Sequence, residues 1–263
     1  MNARLLHVSD LHVGTHEERG VEHALVRLVE RLEPQIVVAS GDLAHRGRRQ
    51  QLERAAELLR SLGAPVLAVP GNHDLPHTPA RFVRPWAEFE RVWETTEPTA
   101  SSPELQVVGL NSARPFRHQG GALSNRQLQR AAARLAAAAP GALRVAVLHH
   151  HLIGAPWRAV RKFPVSRRNR VLHALVEAGA DLILSGHIHQ AAVSERHEFE
   201  VVGDEARTAV VAIAPGFGQP RPRRLGEARG LHLHEADADA ITVRTFRWSG
   251  GDWTLGAERR FRR

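Results

Sequence analysis

Seven side chains able to hold a metal ion fall in five short clusters, and each cluster directly follows an apolar run of strand character. They are Asp10 and His12 in S-D-L-H, Asp42 in S-G-D-L, Asn72 in P-G-N-H-D, one histidine of L-H-H-H at 148–151, and His187 and His189 in S-G-H-I-H. Segments so far apart can share one site only if their strands end at a common sheet edge. That requirement points to an α/β fold whose site is assembled from loops.

The spacing within the clusters fits this reading. Asp10 and His12, like His187 and His189, are two residues apart. On extended backbone such a pair projects to one side and can converge on a small volume. Asp42, Asn72 and His187 each follow a glycine, which permits a sharp turn and close backbone approach. Carboxylate, amide oxygen and imidazole together suit Mn, Fe, Zn or similar divalent ions. Seven such ligands exceed the needs of one four-coordinate ion and suit two ions that share a carboxylate.

Between the clusters, strand and helix patterns alternate. Leu5 to Val8, Ile36 to Ala39, Val66 to Val69, Leu143 to Leu148 and Leu182 to Leu184 are strand candidates. Val21, Ala24, Leu25, Leu28, Val29 and Leu32 recur at helical spacing, as do Leu52, Ala55, Ala56 and Leu59. Ser124 with Gln127 reads as a capping box opening a third helix. Beyond about residue 191, Val201 to Val202, Ala209 to Ile213, Gly230 to His234 and Ile241 to Phe246 follow as strands without helices. Pro215 to Arg224 reads as a loop. We therefore expect one domain over 1–263, with 1–190 bearing the ligands and a β-rich 191–263 completing a second sheet.

Composition narrows the chemistry. The chain has no cysteine, which removes thiolate ligands and disulfides. Its net charge of +8 comes almost wholly from arginine, since Lys162 is the sole lysine. A basic surface can attract nucleic acid or phosphate-bearing metabolites, but scattered arginines fit biased residue usage better. No segment reaches the ~20 apolar residues of a membrane span, and the first residues lack a secretory apolar run. The expectation is a cytoplasmic protein of unknown oligomeric state.

The ordered series D-x-H, G-D, G-N-H-D, H and G-H-x-H, running from Asp10 to His189, resembles the calcineurin-like metallophosphoesterase superfamily. In size the chain is similar to small bacterial phosphodiesterases acting on cyclic nucleotides or glycerophosphodiesters. The resemblance implies a four-layer α/β/β/α sandwich with two packed mixed sheets. It also implies two divalent metals and hydrolysis of a small phosphodiester by a hydroxide held between them. Asp10, His12 and His189 would hold the first metal, Asp42 would bridge, and Asn72, His187 and a histidine of 149–151 would hold the second. Relatives carry that last ligand two residues before a proline; Leu152 stands where the proline is expected, which favours His150 and leaves His149 open. His73 would donate to the phosphate or leaving oxygen, with Asp74 orienting its imidazole. Arg46 matches a phosphate-binding arginine of related phosphatases, although His45 replaces the aspartate usual before it.

Other residues carry weaker signals. Arg158, Arg161, Lys162, Arg167, Arg168 and Arg170 read as a solvated loop and helix start, or else as a rim drawing in an anionic substrate. Phe217 and Trp157 could stack on a ring, though packing is preferred; His16 and His77 lie near ligand loops. His7, His23, His118, His173, His197, His232 and His234 are assigned no role. A nuclease of the same superfamily ranks second, with nucleic acid as partner. A binding scaffold that has lost catalysis ranks last, since every ligand of the pattern is present.

Overall fold

The most apolar strands are the innermost. Ile36–Ala39, strand β2, is buried at all four positions, as befits a parallel strand covered on both faces. It lies between β1 (Ala3–Val8) and β3 (Val66–Ala68), parallel to both. In this computed structural model, residues 2–15, 20–154, 162–197, 208–218 and 229–263 are described.

A second sheet is built likewise. Strands β5 (Leu105–Gly109), β6 (Leu143–Val147), β7 (Leu182–Ser185) and β9 (Thr208–Ile213) run parallel. Strand β4 (Thr99–Ser101) closes one edge and β8 (Ala192–His197) the other, both antiparallel. Strands β10 (Gly230–Ala236), β11 (Ala240–Trp248) and β12 (Trp253–Arg262) return to the first sheet, whose order is β12-β11-β10-β1-β2-β3. The region after 191 is therefore divided between the sheets, instead of completing the second one. On the edge of β1 away from β2, the antiparallel β10 satisfies its backbone groups. The pair Val201 to Val202 lies outside the described residues.

Helices cover both outer faces. α1 (Val21–Leu32) and α2 (Arg49–Arg60) pack Leu25, Leu28, Leu52 and Leu59 on Leu6, Val8 and Val37 of the first sheet. α5 (Asn125–Ala136) and α6 (Arg168–Glu177) pack Leu135, Val171 and Leu175 near Ala146 and Ile183 of the second. Two short helices, α3 (Ala80–Val83) and α4 (Ala87–Trp93), join β3 to β4. The alternate strand residues Leu5, Val38, Val145, Val147 and Leu184 fill the space between the sheets. The result is the expected α/β/β/α sandwich with two mixed sheets. Ser124 caps α5 by the reciprocal Ser124–Gln127 bonds foreseen from the sequence. Among the described residues no helix is long and apolar enough to cross a membrane.

Candidate metal centre

Strands β1, β2, β3, β6 and β7 all end at one edge of the paired sheets, and a candidate ligand follows each within one short turn. Backbone bonds carry the β1–β2 pairing past the strands: Asp10 N–H donates to Gly41 O and His12 N–H to Asp42 O, both at 2.9 Å. The chain nevertheless turns sharply there. Asp10, His12, Asp42, His187 and His189 have φ of 55°, 48°, 53°, 74° and 56°, the left-handed region that non-glycine residues rarely occupy. Such backbone costs ~1–3 kcal/mol per residue and persists only when its surroundings enforce it. Close approach explains two glycines. A Cβ on Gly186 would lie 1.8 Å from Ser9 Oγ, and one on Gly71 would lie 2.2 Å from Asp42 Oδ1.

Each carboxylate has one oxygen tied down and one left over. Asp10 Oδ2 accepts from Ser9 Oγ at 2.7 Å and His187 N–H at 2.9 Å. Its Oδ1 faces His189 Nε2 at 3.0 Å and His12 Nε2 at 3.8 Å. Asp42 Oδ1 accepts from His73 N–H at 2.8 Å. Its Oδ2 lies 3.3 Å from His149 Nε2 and 3.8 Å from His12 Nε2, between two groups of ligands. Those groups are Asp10, His12 and His189 on one side and Asp42, His149 and His187 on the other. His149 is aimed by its Nδ1, 2.8 Å from Ser40 O, and its Nε2 is 3.2 Å from His187 Nδ1.

Electrostatics keep the carboxylates charged. Burial raises the Asp10 carboxyl, but the His189 imidazole offsets this and holds it below the usual range. Burial likewise opposes ionisation of Asp42, and His149 with His73 pulls it well below normal. Burial lowers His149, yet the Asp42 carboxylate beside it dominates and pushes it up to about 9. A cationic partner is thus what this cluster favours. Asp10 Oδ1, Asp42 Oδ2, Asn72 Oδ1 and Nδ2, and His187 Nε2 are buried without a hydrogen-bond partner among the described residues. Carboxylate, amide and imidazole groups buried together, with Asp10 Oδ1 and Asp42 Oδ2 facing only imidazoles, are a set that fits divalent metal.

The histidine run resolves differently from the first choice made on sequence. His149, not His150, enters the group with Asp42 and His187. Strand alternation is the reason: Val147 points between the sheets, Leu148 towards the helices, and His149 inward again. His150 is held through Nδ1, 2.9 Å from Ser112 Oγ, with Gly121 against its ring and its ring centroid 4.6 Å from that of His187. His151 is buried near the His187 ring; burial first, then the Arg168 charge, lowers it to about 4.

His73 and Asp74 also divide their roles in an unforeseen way. Asp74 does not orient the His73 ring; its oxygens accept from the backbone N–H of Ala44 at 2.7 Å and Gly71 at 2.8 Å. Asp74 instead fixes the G-N-H-D turn, and burial, followed by the nearby Asp42 charge, raises it to about 7. The His73 ring is held through Nδ1, 2.9 Å from the His45 carbonyl, and stands 4.8 Å from the His12 ring. Its buried Nε2 has no partner among the described residues.

Around the rim, Arg46 is exposed, with its backbone N–H bonded to Gln51 Oε1 at 3.0 Å. His77 lies 6.0 Å from the His73 ring, and burial, followed by the His73 charge, lowers its pKa. Of the basic stretch, Arg158 and Arg161 lie outside the described residues, as do His16 and Trp157. Arg167, Arg168 and Arg170 line an open pocket of about 940 Å³ with Arg117, His118 and Phe163. Phe217 is core: it stacks on Trp253 at 5.5 Å between ring centroids.

Residues 3–191 match the model of the calcineurin-like phosphoesterase family. The chain belongs to that family. Among curated relatives of this phosphoesterase is the 3',5'-cyclic adenosine monophosphate phosphodiesterase of Haemophilus influenzae, 27% identical over 65% of the chain and 60% of the relative. A probable cyclic nucleotide phosphodiesterase of Synechococcus is 30% identical over 62% of the chain and 61% of the relative. The matches thus span about three fifths of those relatives. A purple acid phosphatase from yellow lupin seeds has the same fold, with TM-score 0.71 and 13% identity over 99% of this chain and 53% of that one. A Vps29 of Entamoeba histolytica is a more distant structural neighbour, at TM-score 0.54 and 12% identity over 98% of this chain and 99% of that one.

Proposed function

We propose that this phosphoesterase hydrolyses a small phosphodiester at a centre of two divalent metals, Mn, Fe or Zn. Asp10, His12 and His189 would hold one ion and Asn72, His149 and His187 the other, with Asp42 shared. The observation that carries this reading is the position of Asp42 Oδ2 within reach of both histidine groups. Ions bound there supply Lewis acidity towards phosphoryl oxygens and lower the pKa of water.

The chain's own residues do the rest. His73 stands at the edge of the ligand groups with Nδ1 engaged by the His45 carbonyl, so Nε2 is the atom left to face substrate. In its imidazolium form it gives the Nε2 proton to the departing alkoxide as water, releasing one proton to solvent, adds to phosphorus and the P–O ester bond breaks. Such general acid help is worth ~10²–10⁴ in rate. Asp74 keeps the turn bearing Asn72 and His73 in shape. Arg46, at the exposed rim, supplies a guanidinium suited to a second phosphate oxygen.

The relatives' names favour cyclic nucleotides among the substrates, ahead of glycerophosphodiesters and nucleotide-sugar pyrophosphates. A basic pocket beside the histidine run supports nucleic acid as the second choice. A panel with manganese supplied decides between them: cyclic nucleotide, aryl phosphodiester, phosphomonoester and single-stranded DNA. Cyclic nucleotide should give the highest kcat/KM. A strong monoester preference would reverse the assignment, and preference for DNA would select the nuclease.

A further inference from the structure

A second group of imidazoles lies inside the sandwich, away from the sheet edge. It consists of His7 on β1 and His232 and His234 on β10. The antiparallel register sets His7 opposite His232 and Leu5 opposite His234. Strand alternation then puts all three rings on one face. Leu6, Val8, Leu231 and Leu233 point to the helices, whereas Leu5 and Ala236 point between the sheets. The histidines share that second direction and are fully buried.

Their spacing is that of a binding site. Ring centroids are 6.1 Å apart for His7–His232, 5.8 Å for His7–His234 and 5.6 Å for His232–His234. One nitrogen from each ring lies within 4.8 Å of the other two. Five of the six ring nitrogens, all but His7 Nε2, are buried without a partner among the described residues. His7 Nε2 is 2.8 Å from Ser40 Oγ. In the tautomer where Nε2–H donates to that oxygen, Nδ1 keeps its lone pair, the arrangement that orients ligand histidines in metal sites. Burial holds the three rings below the usual histidine range, His232 at about 3, so each is a neutral ligand.

We infer that His7, His232 and His234 form a separate metal site that takes one zinc or copper ion. Two histidines at i and i+2 of one strand, with a third across on its neighbour, converge three nitrogens on a point in front of the sheet. Three imidazoles are an established zinc ligand set. Imidazole without thiolate or carboxylate selects zinc, copper and similar late transition metals over magnesium, calcium or manganese. Ordered water is the rival occupant, since it too can satisfy orphaned buried nitrogens. Full burial means that the ion enters as the chain folds and leaves slowly.

The test counts metal per chain in protein folded in the presence of zinc, and separately copper, then dialysed. In the Asp10→Ala/Asp42→Ala variant, which lacks the sheet-edge carboxylates, one equivalent should remain, with an X-ray absorption spectrum of three histidine nitrogens. The His232→Leu/His234→Leu variant should hold one equivalent fewer than the unmodified chain, with the manganese-dependent activity little changed. Chelator should strip the core ion more slowly than the edge ions. Equal metal content in the leucine variant and the unmodified chain would overturn the inference in favour of water. So would a spectrum without histidine nitrogen in the Asp10→Ala/Asp42→Ala variant. If the leucine variant does not fold, that spectrum and the count beside it decide alone. Failure of the edge site would show instead as a carboxylate variant with undiminished metal and turnover.

Discussion

Among the described residues, buried imidazoles gather at the sheet edge and in the core, and Ser40 touches both sets: its Oγ meets His7 and its carbonyl meets His149 Nδ1. The edge set stands on loops, mixed with two carboxylates, and its Asp10, His12, Asp42, His187 and His189 have positive φ. The core set stands on a regular strand pair, holds no carboxylate, and none of its residues has positive φ. Burial and histidine are common to both. Backbone strain and negative charge belong to one alone, the set assembled from loops.

The largest contrast should come from Asp42→Ala against His234→Leu, compared by steady-state kinetics. Loss of the carboxylate proposed to be shared should lower kcat/KM by on the order of 10³ or more, because the Lewis-acid contribution is worth several kcal/mol. The core substitution should change it by only a few-fold, and a comparable loss there would merge the two sets into one functional unit. Next comes His73→Ala, expected to keep its metal content and lose ~10²–10⁴ in kcat. Full turnover in that variant would remove His73 from the reaction. His150→Ala should cost ~10–100-fold through the packing of its ring beside His187, as an outer-shell change does. His149→Ala should lose bound metal; the reverse ranking would restore His150 as ligand.

Much of this was readable from the sequence because the edge site follows simple rules. Apolar runs such as Ile36–Ala39 end in glycine-bearing turns, and a ligand follows each. The helices of 21–32 and 49–60 show their buried faces through regular spacing. The core histidines were missed for a physical reason. In L-H-L-H at 231–234 and L-H-V at 6–8, alternation reads as a strand with its polar face to water. Here β1 and β10 are covered on both sides, so the polar positions face a second sheet. Strand β12 escaped because it is an edge strand whose residues from Thr254 to Arg260 are all exposed. The preference for His150 over His149 rested on a proline absent from this chain, whereas the alternation from Val147 points to His149, which the structure groups with Asp42 and His187.

Smaller effects sharpen the strain argument. Gly186→Ala forces a Cβ to 1.8 Å from Ser9 Oγ and 2.5 Å from Asp10 Oδ2, and should cost ~1–3 kcal/mol with loss of metal affinity. Gly250→Ala, at φ +86° but in open space, should cost less, ~1 kcal/mol, and leave metal binding intact. Thermal melts with and without manganese separate the two. Equal costs would mean that close approach at Gly186 is relieved by local movement.

The most direct measurement is anomalous scattering from crystals of the protein grown with manganese. The expected result is two peaks ~3.5–4 Å apart, one among Asp10, His12 and His189, one among Asn72, His149 and His187, with Asp42 touching both. A single peak, or a second peak bound by His150 with His149 turned away, would contradict the shared-carboxylate centre.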